Sequence, residues 1–200
     1  GSFRYICERK VITNFCEMKI ILFSRPSKNS SIELFGALIE SIKARKIAFS
    51  VNDLAADWFI EQGGKGSDVC RRCGKLDEPL VVAPGIAVHE GGWEITSPHR
   101  YSSMQEVLDE GAIVISYGGD GTLLSAVRSL GGREVPVLAI NSGRLGFLAT
   151  VPQEDALEAL DRLSSGDYTI EKRTLLKVEG DIEDGVTFPL AFNEFSVQRN

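Results

Sequence analysis

Ala112-Ile-Val-Ile-Ser-Tyr-Gly-Gly-Asp-Gly-Thr-Leu-Leu124 is the stretch on which the fold turns. Its opening run, Ala112 to Tyr117, is short, apolar and rich in β-branched residues, which is the composition of a strand covered on both faces in a parallel sheet. The run breaks into glycines around a single acid. It then resumes with Leu123, Leu124, Val127 and Leu130 at helical spacing, closed by Gly131 and Gly132. Strand, tight loop and helix start are therefore predicted, with Thr122 as the N-cap. Without side chains at Gly118, Gly119 and Gly121, a ligand can approach the loop amides closely. Free N–H groups and the helix dipole would then face an anion above the loop, with Asp120 as its one functional side chain. A plain turn is the alternative, because Gly and Asp dominate turns for conformational reasons alone. Two other phosphate loops are excluded. No Gly-x-x-x-x-Gly-Lys-Ser/Thr occurs, and a dinucleotide fingerprint starting at Gly119 needs Gly or Ala where Leu124 stands.

Downstream, Val135 to Ile140 reads as a second buried strand that also breaks at its carboxyl end, into Asn141-Ser-Gly-Arg-Leu-Gly-Phe147. Ligands of open α/β sheets bind outside the carboxyl ends of strands, so the two loops predict a shared cleft. A simple strand-to-helix connection is the other reading of Asn141 to Phe147. Pro152 is expected to open a helix with Ala156, Leu157, Leu160 and Leu163 on one face and Gly166 at its end. Beyond it, Tyr168 to Glu179 and Val186 to Gln198 alternate like strands around Gly180-Asp-Ile-Glu-Asp-Gly185, the pattern of a hairpin. A domain boundary is placed near Gly166, and a hairpin this small must pack on something else.

Upstream, Lys19 to Ser24 reads as the first strand, followed by a helix capped by Ser30 or Ser31 with Phe35, Leu38, Ile39 and Ile42 on one face. Lys46 to Val51 is the next strand, and Asn52 or Asp53 caps a short helix through Leu54, Trp58 and Phe59, whose aromatics read as core. Gln62 to Pro84 is rich in glycine, charge and proline, so a flexible surface excursion is expected, with one short strand at Leu80 to Ala83. Ser103-Met-Gln-Glu106 has the form of a capping box, with Gly111 closing that helix.

Composition bounds the function. The 200 residues are 43% hydrophobic and 25% charged, ordinary for a globular chain, and 22 basic against 28 acidic side chains give a net charge of -6 with no basic block. Nucleic acid and anionic membranes need a concentrated positive face, so both are disfavoured as partners. No apolar run approaches the ~20 residues that span a bilayer. Gly1-Ser2 reads as a tag remnant, residues 1–17 as an N-terminal extension without a signal peptide, and Met18 as a natural start. A cytoplasmic protein is expected. Cys70-Arg-Arg-Cys73 has only Cys7, Cys16, His89 and His99 as further ligands, none closely spaced, so incidental loop thiols are preferred over zinc or redox work.

Gly118-Gly-Asp-Gly-Thr122, Asn141-Ser-Gly-Arg-Leu-Gly-Phe-Leu148 and Asn193-Glu194, in this order, resemble the NAD kinase family. The first motif alone is shared with diacylglycerol and sphingosine kinases and phosphofructokinases; the second and third single out NAD kinase. The resemblance covers most of residues 18–200. It implies a Rossmann-like α/β domain over 18–166 with a parallel sheet and helices on both faces, then the first hairpin of an all-β NAD-binding domain over 167–200. It also implies transfer of the ATP γ-phosphoryl group to the 2′-hydroxyl of the adenosine ribose of NAD, giving NADP, with Mg2+ accompanying ATP, or polyphosphate as donor in some members. On this reading Asp120 accepts the hydroxyl proton, and Gly118, Gly119, Gly121 and Thr122 receive phosphates. Asn141 and Gly143 shape the second loop, Phe147 packs on adenine, and Asn193 and Glu194 hydrogen-bond NAD. Arg144 and Arg128 are candidate phosphate partners. Family members continue into a larger all-β domain, so little or no turnover is expected from these 200 residues, and a homo-oligomer is expected of the longer enzyme. A lipid kinase domain and a non-catalytic nucleotide-binding module are the competing readings.

Overall fold

The structure, a computed structural model, describes residues 18–62, 80–83, 86–89, 92–94, 99–143, 146–177, 190–192 and 194. Its centre is a six-stranded sheet assembled from β1 (Lys19–Ser24), β2 (Ala48–Asn52), β6 (His99–Tyr101), β7 (Ala112–Tyr117), β8 (Val137–Asn141) and β9 (Val151–Pro152), in the order β6-β2-β1-β7-β8-β9. Every pairing in it is parallel. β1 lies between β2 and β7, so the chain first builds outward on one side of β1 and then on the other. The strand order therefore reverses between β1 and β7, the position where doubly wound sheets open a crevice.

Strands buried on both faces need apolar side chains at nearly every position, and Ile20 to Phe23 of β1 and Ala112 to Ile115 of β7 supply them, with Lys19, Ser24 and Ser116 the polar exceptions. Ile20, Leu22, Ile113 and Ile115 face one core with Phe35, Leu38 and Ile42 of α1 (Ile32–Ala44), Phe59 of α2 (Asp53–Glu61) and Leu160 of α4 (Ala156–Ser165). Ile21 and Val114 face the other, with Ala126 of α3 (Asp120–Ser129), Met104 and Tyr101. Helices thus cover both faces, as predicted. Each fully buried Leu or Ile contributes about 1.5–3 kcal/mol to holding the sheet between its helix layers. No helix among the described residues is long and apolar enough to cross a membrane.

Several local expectations change. α3 starts at Asp120 with Gly119 as N-cap, so Thr122 is not a cap but a buried residue of the first turn. Ser103 makes no capping bond and Glu106 instead accepts from the Ser102 hydroxyl at 3.1 Å, so the capping box does not form; only a 3-10 turn, Met104–Glu106, follows, five residues short of Gly111. Asn52 occupies the N-cap of α2, but its side chain is spent on Ser24. Ser31, by contrast, does cap α1, accepting from the Leu34 amide at 3.2 Å. The second strand begins at Ala48 rather than Lys46 because Lys46 turns the chain with φ 55°. The strand at residue 135 begins at Val137 because Pro136 has no N–H for the ladder, though its carbonyl still accepts from Val114 at 2.9 Å. On α4, Leu157 is 38% exposed while Ala156, Leu160 and Leu163 are buried; Gly166 ends the helix at φ 76°.

The short strand expected at Leu80 to Ala83 forms, and the chain after Pro84, where no element was predicted before Ser103, adds three more. β3 (Leu80–Ala83), β4 (Ile86–His89) and β5 (Gly92–Glu94) form an antiparallel three-stranded sheet, and β6 joins the main sheet. Residues 63–79 lie outside the described residues, as do Cys7, Cys16, Cys70 and Cys73. Of the predicted hairpin the described residues show one short antiparallel pair, β10 (Leu176–Lys177) with β11 (Leu190–Ala191); Tyr168 to Leu175 lie outside any strand, and the turn lies outside the described residues.

Candidate active site

β7 and β8 are adjacent, and their carboxyl ends deliver both motif loops to one edge of the sheet. The ladder carries on into the loops: the Gly118 amide donates to Ile140 O at 2.9 Å and the Ser142 amide to Gly118 O at 3.3 Å. Gly118 turns the chain at φ 157°, and a Cβ there would overlap the Thr122 side chain. Thr122 is thus the floor under Gly118. Above Gly119 and Gly121 nothing lies within 4 Å of an added Cβ, so the surface of the loop is open.

Asp120 is the hinge of the arrangement. Its Oδ2 accepts the Phe147 amide at 2.9 Å, and its Oδ1 accepts those of Leu148 at 3.1 Å and Ala149 at 2.9 Å. The Ala149 amide foremost, then those of Phe147 and Leu148, hold the carboxyl below its ordinary value against the opposing effect of desolvation. An ionised carboxylate offers roughly four acceptor positions, so three are filled and one, on Oδ2, is left. Asn141 secures the same loop from its other end, with Oδ1 accepting from the Gly143 amide at 2.8 Å and Nδ2 donating to Ala149 O at 3.3 Å.

A third wall was not read from the sequence. Ser24 and Arg25 leave β1 beside the strand-order reversal. The Ser24 hydroxyl donates to Tyr117 O at 2.7 Å, and its backbone N–H and C=O are both bonded at 2.9 Å by Asn52. Arg25 Nη1 donates to Ser125 Oγ at 2.9 Å, in the first turns of α3. Ser30 Oγ lies 3.4 Å from Ser142 Oγ, and a Cβ on Gly143 would sit 3.4 Å from Asn29 Nδ2, so the loop after β1 packs on the loop after β8. The topological rule would have pointed to this loop once the strand order was known. Tyr117 braces it from below: its hydroxyl is 3.2 Å from both Ser31 O and Gln153 Oε1, and burial foremost pushes its pKa up to about 12.

Other predicted residues stand apart from these contacts or lie outside the described residues. Phe147 is 98% exposed and touches no core. Glu194 is exposed and lies outside any strand, β11 having ended at Ala191. Arg128 stands in the last turn of α3, roughly 12 Å along the axis from Asp120 at the helical rise per residue. Asn193 and Arg144 lie outside the described residues. A cavity of about 410 Å³ opens on the α3 face toward β2 and β6, lined by Phe23, Asn52, Tyr101, Ser102 and Ser129 among others, and contains none of the motif residues.

Residues 71–168 match the family model described as the ATP-NAD kinase N-terminal domain. The chain is 28% identical over 184 residues to an NAD kinase of Cytophaga hutchinsonii, covering 91% of this chain and 52% of that protein. It is 39% identical over 110 residues to an NAD kinase of Geobacter metallireducens, covering 55% of this chain and 36% of the relative. The chain therefore spans about half the length, or less, of the curated relatives it matches. Among solved structures, the crystal structure of yeast NADH kinase complexed with NADH aligns with TM-score 0.55 over 82% of this chain and 44% of that one, at 19% identity, a likeness of fold.

Proposed function

From the premise that the chain belongs to the NAD kinase family, we propose that it transfers the γ-phosphoryl group of ATP to the 2′-hydroxyl of the adenosine ribose of NAD, as the α/β half of the site for that reaction. The observation that carries this reading is the seating of Asp120 between the two motif loops, bonded to the amides of residues 147–149. One phosphorus–oxygen bond, to ADP, breaks; one, to the ribose oxygen, forms; the hydroxyl gives up its proton.

Phosphoryl transfer asks for alignment and charge stabilisation more than for a strong base. Asp120, held anionic by three amides, suits alignment: the acceptor position left on Oδ2 takes the ribose hydroxyl as a hydrogen-bond donor and receives its proton late in the transfer. Donor phosphates lie over the loop formed by Gly118, Gly119, Gly121 and Thr122, whose surface is open above Gly119 and Gly121. Asn141 and Gly143 fix the loop that presents Phe147 to the adenine of NAD, and Asn193 and Glu194 contribute hydrogen bonds from the following segment. A divalent cation such as Mg2+ would neutralise charge on the donor phosphates. Among the described residues no group of three His, Cys, Asp or Glu could hold such an ion, and no protein ligand is assigned to it. Division at Gly166 into an α/β domain and the start of a β domain, homo-oligomeric assembly and a cytoplasmic location belong to the same reading.

Calorimetric titration of Mg-ATP and of NAD into wild type and Asp120→Asn, with NADP formation followed in parallel, tests it. ATP binding persists in both, and whatever NADP formation the wild type supports falls about 100-fold or more in the variant. A chain that binds neither nucleotide refutes the reading.

A further inference from the structure

Asp120 opens α3, whereas residues 146–149 follow β8, so the three bonds to the Asp120 carboxylate join segments separated by 27 to 29 positions. The path of the second segment is close. A Cβ added at Gly146 would overlap Oδ1, Cγ and Oδ2 of Asp120 together. Glycine is the residue that leaves room for this approach. The carboxylate demands it. Any side chain at 146 would displace the loop or turn the carboxylate aside, and either movement separates three amides from their acceptor.

We propose that Asp120 and Gly146 form a latch that makes the two loops one unit, with Gly146 acting as a positioning residue through Asp120. The latch fixes the carboxylate in one orientation, leaves the same acceptor position on Oδ2 free, and turns Phe147, one residue on, out into solvent. Loss of either partner releases both features at once. Its consequence for phosphoryl transfer rests on the function proposed above; the latch itself does not.

A double-mutant cycle on the full 200-residue chain, labelled with 15N, tests the latch without any ligand. Amide exchange and proton shifts of residues 147–149 are read in wild type, Asp120→Asn, Asp120→Ala, Gly146→Ala and the double variant Asp120→Ala/Gly146→Ala. Asp120→Asn keeps the shape but replaces one acceptor by an N–H that faces the loop. The Phe147 amide then loses its acceptor, exchanges about tenfold faster or more and moves upfield in its proton resonance, while those of Leu148 and Ala149 keep a weaker, neutral acceptor and shift in the same direction. Gly146→Ala produces the same changes when Asp120 is present, and adds little once Asp120→Ala has cleared the space, so the cycle is strongly non-additive. Unchanged exchange in Asp120→Asn, or equal damage from Gly146→Ala in both backgrounds, overturns the proposal. Should Gly146→Ala alone not fold, Asp120→Asn and the double variant decide the matter. A chain that shows the latch yet binds neither NAD nor ATP refutes the proposed function and leaves the latch standing.

Discussion

Asp120 shows what one carboxylate gains from its neighbours. Its pKa is depressed in the folded chain by backbone amides, so the stability it contributes is present above its unfolded value and is lost as pH falls through the folded value. The acid limb of a thermal-unfolding profile should therefore be shallower for Asp120→Asn than for wild type; identical limbs would show that the amide bonds add nothing. Gly118 is constrained from the opposite direction. Gly118→Ala forces a Cβ into the Thr122 side chain, and the expected loss, about 1–3 kcal/mol, should appear as a lowered unfolding midpoint. The sequence made Asp120 conspicuous because it is the sole acid among glycines. Its partners were not legible, since the amides of Phe147, Leu148 and Ala149 bond as backbone and leave no mark on residue type. Gly146 was quoted within a motif, and only the approach of the carboxylate explains it.

At the scale of elements, the types were readable and the ends were not. Runs such as Ala112 to Tyr117 and faces such as Phe35, Leu38, Ile39 and Ile42 identify strands and helices because burial needs apolar groups at fixed periods. Caps depend on where the chain is going. Asn52 has the chemistry of a cap, yet its amide bridges both backbone groups of Ser24, and Thr122 is needed beneath Gly118. The N-cap of α3 is consequently a glycine with no side chain to offer its helix. Gly119 has φ -88° and open space around an added Cβ, so Gly119→Ser should be accommodated and should stabilise α3 by a few tenths of a kcal/mol. The same hydroxyl would stand where donor phosphates are proposed to lie. A raised melting temperature together with weakened Mg-ATP binding is the expected pair of results, the exchange of stability for function that site residues commonly show. Improved melting with undiminished ATP binding would argue that phosphates lie elsewhere. Gly166→Ala offers a contrast: at φ 76° with nothing within 4 Å, its cost of about 1 kcal/mol should be backbone conformation alone.

The whole molecule is held at its far edge by a feature that no motif announces. β6 is a three-residue strand that comes after a long stretch of chain and, among the described residues, pairs with β2 alone. So short a ladder needs other ties. Arg100 supplies them: its Nε donates to Asp53 Oδ1 at 2.9 Å, and its Nη2 to Asp57 Oδ1 at 2.7 Å and to Asp53 O at 3.3 Å. The guanidinium is thus spread over the first turn of α2, fastening β6 to the helix that leaves β2. Tyr101 adds a buried hydroxyl bonded to Leu22 O at 3.0 Å, reaching across the sheet to β1. Sequence reading found none of this, because strand pairing between residues so far apart is set by topology and not by local pattern. The Arg100 side chain is 13% exposed against 45% and 52% for its two acids, so removing it strands no buried charge, and the loss is that of the bonds themselves. Arg100→Met should lower the urea midpoint by the equivalent of about 1–3 kcal/mol with an unchanged slope. Arg100→Lys should recover little of it, since a compact ammonium cannot reach two carboxylates and a carbonyl from one planar fork. Full recovery by lysine would mean that charge alone, and not the geometry of the fork, anchors β6 to the fold.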